Sequence, residues 1–185
     1  MKRAFLTFTS VIAVALMVVW PAHGQKQQSG TSSDSFLKQA IEMNQAEVEV
    51  SKLAQNKAQD PKVKDYAEMM VRDHSQALDK LRSTAGENEG QIQMSSQHQQ
   101  LYDKLARLSG SQFDKEYMNA MVRDHKQAVQ MFQREAGSTG TSGTARQKPG
   151  AENDTDATIA RDMLPTLQKH LNEAEQLMKN LGTTK

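Results

Sequence analysis

Tyr66-Ala67-Glu68-Met69-Met70-Val71-Arg72-Asp73-His74 returns 51 residues later as Tyr117-Met118-Asn119-Ala120-Met121-Val122-Arg123-Asp124-His125, with Gln76-Ala77 and Gln127-Ala128 following in step. Neither copy shows the two-residue alternation of β-branched and aromatic residues that a half-buried strand needs. Turned at about 100° per residue, the first copy and its flanks gather Val63, Tyr66, Ala67, Met70, Ala77, Leu78 and Leu81 on one arc. His74 lies near the centre of that arc and Arg72 points away. The second copy does the same with Tyr117, Met118, Met121, Ala128, Val129, Phe132 and Ala136, and His125 takes the central place. The repeat therefore predicts two long amphipathic helices carrying the same face.

Outward from the repeat, Ala, Leu, Met, Gln, Glu and Lys dominate, as helices prefer. Ser33-Asp34 suits an N-cap for a helix running to about Ala58, where Asp60-Pro61 breaks it and starts the next, to about Ala85. Gly86 to Met94 reads as a loop. Ser95 to Leu108 suits a short helix, Ser109-Gly110 an interruption, and about Ser111 to Ala136 the third long helix. Residues 137–150, rich in Gly, Ser and Thr, read as a flexible loop. A last helix covers about Asp154 to Leu181, with Pro165 either kinking it or marking a separate turn. The expected fold is all-α: four long helices and one additional short one.

At the N-terminus, Met1-Lys2-Arg3 precede an apolar run from Ala4 to Trp20 and small residues at Ala22 and Gly24. That pattern is a signal peptide over 1–24, cleaved before Gln25; the other reading is an uncleaved anchor. Residues 25–33 form a polar leader and 34–181 the bundle. The chain is thus expected to be exported, periplasmic or envelope-associated, with no integral membrane span after cleavage. Without Lys2 and Arg3, 21 Lys plus Arg face 22 Asp plus Glu, a formal charge of −1 that gives no reason to expect nucleic acid as a partner. The chain has no Cys, so packing must supply its stability, and thiolate metal sites and thiol chemistry are excluded.

Four polar residues fall on apolar arcs. Glu47 lies near the middle of the first helix's arc, whereas Glu42 and Glu49 fall on the solvated side. His74, His125 and His170 lie on the arcs of the other three long helices, and His98 is expected in solvent on the short polar helix. One carboxylate and three imidazoles buried without partners would cost several kcal/mol, so they must bond to one another, to water or to a metal. Two readings stay open: a single transition-metal ion (Zn, Fe, Mn or Cu) held by Glu47, His74, His125 and His170, or a metal-free polar network that fixes helix register. Met70 and Met121 precede their histidines by four residues and could add thioethers, which suit Cu(I); they read equally as flexible core filler. Asp73 and Asp124 lie about 100° round from the neighbouring His, which suits a solvated position, a salt bridge between helices or a supporting bond to a His on another helix.

The Ala46-Glu47-Val48-Glu49 segment, the two Met-Val-Arg-Asp-His copies ending at His74 and His125, Phe113-Asp114 with Tyr117, and Leu164-Pro165-Thr166-Leu167 before His170 resemble the exported bacterial family known as domain of unknown function 4142. The resemblance covers about residues 34–181. It implies a ferritin-like up-down four-helix bundle, often given an outer-membrane label without a β-barrel to justify it, and supplies no activity. Ferritin-like di-iron sites need Glu three residues before His, and here those positions are Val71, Val122 and Leu167. With no nucleophile–base pair or phosphate loop either, the chain is expected not to be an enzyme of recognisable class. The functional expectation is a helical-bundle protein, metal-related or tied to envelope stress. The alternative is a structural or interaction module with unknown envelope partners.

Overall fold

The computed structural model describes residues 32–86, 92–137 and 155–183. The expected signal peptide, most of the leader and nearly all of the 137–150 loop lie outside the described residues. Five helices follow in order: α1 (Ser32–Lys57), α2 (Pro61–Ala85), α3 (Ser96–Arg107), α4 (Gly110–Gly137) and α5 (Thr155–Thr183). Among the described residues there is no strand, and the all-α expectation is met. No helix among them is long and apolar enough to cross a membrane.

Local chemistry sets the boundaries. The Asp60 carboxylate accepts from the Lys62 amide at 2.8 Å and Pro61 occupies the first turn of α2, where its missing N–H is not needed. Ser95 caps α3, accepting from the His98 amide. Gly110 opens α4 with φ of +58°, a conformation that disfavours a Cβ. Pro165 sits inside one continuous α5, so no separate turn precedes the last helix; it lies on the exposed face, away from the core packing.

Side-chain pairs fix the directions. Tyr66 meets Tyr117 and His74 meets His125, so α2 and α4 run parallel. Lys80 pairs with Asp162 while the Tyr66 hydroxyl donates to the His170 carbonyl, so α5 runs against α2. Ser51 meets Tyr117 and Phe36 meets Phe132, so α1 runs against α4. The helices alternate up and down within the hairpins α1–α2 and α4–α5. Between the hairpins they do not, because α3 carries the chain back along α1, with Lys57 donating to the Ala106 carbonyl at its far end. A bundle with one such crossover has the connectivity of ferritin-like folds.

Two apolar clusters fill the bundle. One lies toward the α1–α2 turn and contains Val50, Ala54, Val63, Tyr66, Met70, Phe113, Tyr117 and Met121. The other lies toward the opposite end and contains Phe36, Ile41, Leu78, Leu81, Phe132, Ile159 and Leu167. Between them, one turn from each, sits a polar layer: Asn44 and Glu47 on α1, His74 on α2, His125 on α4 and His170 on α5, all buried.

Candidate metal centre

The helical repeat delivers His74 and His125 to the same level because α2 and α4 are parallel and in register. His170 reaches that level from the antiparallel α5. The three rings form a nearly equilateral triangle, with centroids 5.5 Å (His74–His125), 5.2 Å (His74–His170) and 5.5 Å (His125–His170) apart. One nitrogen from each lies within 4.8 Å of the others.

Each histidine uses its other nitrogen on a separate partner. His74 Nδ1 lies 2.9 Å from Asn44 Oδ1, and the Asn44 amide nitrogen donates to the Ala40 carbonyl at 2.7 Å. Asn44 therefore presents its oxygen, and His74 Nδ1 is the donor. His125 Nδ1 donates to the Met121 carbonyl at 2.9 Å. His170 Nε2 donates to Asp73 Oδ2 at 3.0 Å. The remaining nitrogens, His74 Nε2, His125 Nε2 and His170 Nδ1, are buried and have no hydrogen-bond partner, as is Glu47 Oε2. With each N–H committed to a partner, three buried lone pairs remain without one.

The histidines are also neutral. Burial, reinforced by the neighbouring His125 and His170, pushes His74 well below the ordinary histidine value. Burial and His170 bring His125 down to about 3 despite its bond to the Met121 carbonyl. Burial lowers His170 too, against the opposing pull of Asp73. Glu47 moves the other way: burial first, then the Asp124 charge, raise its carboxyl well above the usual range against the pull of Arg123. Glu47 Oε1 approaches His125 Nδ1 at 3.8 Å, too far for a hydrogen bond.

Of the residues singled out from sequence, His74, His125 and His170 are brought together and Glu47 is not in their triangle. Glu47 stands beside His125 and lines, with His74 and His125, a small cavity of about 10 Å³. Met70 and Met121 lie in the adjacent apolar cluster, fully buried. Asp73 takes the supporting role toward a neighbouring helix. Asp124 is buried rather than solvated and pairs with Arg123 at 2.9 Å. Asn44 went unremarked in the sequence, although it lies three residues before Glu47 on the same face.

His98 and Glu42 depart from the expectation of solvated side chains. Glu42 Oε1 lies 2.7 Å from both His98 Nδ1 and the Ser95 amide, and both side chains are largely covered. The bond to Glu42 raises His98. Burial pushes Glu42 up, but the bonds from His98 and Ser95 outweigh it and hold it below the ordinary carboxyl value. The pair pins the start of α3 to α1, and helical periodicity within either segment gives no sign of it.

The sequence model of one family, described as a domain of unknown function (DUF4142), matches residues 20–177. The chain belongs to this family. No curated protein and no solved structure matches it. Membership in DUF4142 supplies no activity, so function rests on the site itself.

Proposed function

We propose that this DUF4142 protein is a non-enzymatic or metal-related envelope protein that binds one transition-metal ion through His74 Nε2, His125 Nε2 and His170 Nδ1. The observation that carries the reading is the direction of the protons. A self-contained polar network needs donors facing acceptors, yet each histidine sends its only N–H outward, to Asn44, Met121 or Asp73. Three acceptor lone pairs facing one another repel, and a cation resolves that. Leaving four buried polar atoms unpartnered would cost roughly 1–3 kcal/mol each, a large share of the ~5–15 kcal/mol that holds a domain folded.

The donor set fits the chemistry. Neutral imidazoles whose second nitrogen is fixed by a carboxylate, an amide oxygen or a backbone carbonyl are how metal-binding histidines are oriented. Three nitrogens without thiolates suit Zn(II), Cu(II) or Fe(II). At a metal–nitrogen distance of about 2.0–2.1 Å a tetrahedral site spaces its nitrogens roughly 3.4 Å apart, so the rings close slightly on binding. Glu47 sets a buried carboxyl oxygen that has no hydrogen-bond partner beside the cluster. The expected signal peptide and the lack of Cys agree with work outside the cytoplasm.

Elemental analysis tests this on protein expressed from the full chain without an affinity tag and recovered from the periplasm, beside a His74→Ala, His125→Ala double variant. About one equivalent of metal in the parent and none in a folded variant is the expected result. Absence of metal in both, with no uptake on adding Zn(II), Cu(II) or Fe(II), would overturn it in favour of a metal-free core network.

A further inference from the structure

Resting on that metal reading, we infer that the site keeps its fourth position for an exchangeable small molecule, an oxygen or nitrogen donor of a few atoms that enters between α2 and α5. The site lies between two spaces. On one side is an open groove of about 450 Å³ between α2 and α5, whose lining includes Asp73, His74, Thr166 and His170. On the other is the small cavity of about 10 Å³ reached by His74, His125 and Glu47. Three residues, Asn44, His74 and Leu167, line both.

Those three form the partition, and they are not equally fixed. Asn44 is bonded to Ala40 and His74, and His74 to Asn44. Leu167, one turn before His170 on the same face of α5, is held by packing alone and is buried to 4 % exposure. A rotamer change at Leu167 joins groove to cavity without breaking a hydrogen bond, which makes it the gate.

The cavity then sets the ligand's size and chemistry. Its volume is about that of one water-sized probe, so it accepts only a water-sized donor group of the ligand without repacking. Glu47 Oε2 is buried there without a partner, and it supplies the second contact such a ligand needs. Three protein ligands with a fourth position left to water or substrate is the arrangement of metal sites that exchange ligands, whereas structural sites close with four.

The test uses the full chain loaded with Co(II), whose visible spectrum reports coordination, and azide as the probe. The expected result is one equivalent of cobalt, a saturable spectral change on adding azide, at least five-fold slower azide binding in Thr166→Trp on the groove wall, and at least five-fold faster binding in Leu167→Ala. Imidazole, too large for the parent cavity, should bind only the Leu167→Ala variant. Cobalt bound with no response to azide in any of the three proteins would overturn the inference and leave a closed site. Azide rates that are the same in all three would overturn the route past Leu167. Failure to bind cobalt at all would overturn the metal site, and this inference with it. Thr166 is exposed, so its variant keeps the route testable should Leu167→Ala fail to fold.

Discussion

Asp73 on α2 accepts a hydrogen bond from His170 on α5 at 3.0 Å, although the residue next to Asp73 in the chain is His74. The aspartate thus orients the third imidazole of the cluster while its neighbour supplies the first, and α2 contributes to two corners of the triangle. Arg72, itself largely exposed, holds the other Asp73 oxygen at 2.9 Å.

Removing that support should weaken the site without unfolding the bundle. Asp73→Ala is expected to lower metal affinity by roughly 10–100-fold, the usual effect of losing a carboxylate behind a metal-bound histidine. Competition titration against a chelating dye measures it. Unchanged affinity would mean that packing alone orients His170.

Acid should destabilise the metal-free protein through the histidines. All three hold folded-state values below the ordinary ~6.5, so the unfolded chain takes up their protons first. Their contribution is whole above about pH 6.5 and is lost as pH falls from there toward the folded values, about 3 for His125. Each histidine adds at most about 1.4 kcal/mol per pH unit to the slope. Urea unfolding of chelator-treated protein between pH 7.5 and 4.5 should show a falling midpoint. The His74→Ala, His125→Ala variant should show a shallower fall, and equal slopes would contradict the burial of neutral imidazoles.

Glu47 carries the opposite sign. Its raised folded-state value makes its contribution complete below the ordinary carboxyl value of ~4.5 and lost as pH climbs through the folded one. Glu47→Met removes a buried carboxyl oxygen that has no partner, and should stabilise the metal-free protein at pH 8 by about 1–3 kcal/mol. The same urea experiment at pH 8 checks it. A less stable variant would show that Glu47 has a partner in solution that offsets its burial.

Asp114 ties the two hairpins together. Its buried carboxylate accepts from the Gln59 and Asp60 amides at 3.0 and 2.9 Å, holding the α1–α2 turn against the first turn of α4. Asp114→Ala leaves both amides without that acceptor and should cost roughly 2–4 kcal/mol. Thermal or urea unfolding gives the number, and a cost under about 0.5 kcal/mol would mean that water replaces the carboxylate.

Local signals along the chain determined the helices. The break at Asp60-Pro61 and the apolar arcs set helix limits to within a few residues, because these signals act within one or two turns of chain. The arcs also named His74, His125 and His170, since a histidine's position on its own helix is fixed by 100° steps. What lies between helices could not be read this way. That α2 and α4 run parallel, that Asp73 serves His170, that Asn44 orients His74, that Glu42 and His98 meet, and that Glu47 stands beside the triangle all depend on how separate helices are rotated and shifted against one another. Helix packing decides that through side-chain volumes across the whole core, and no single segment of the sequence contains it.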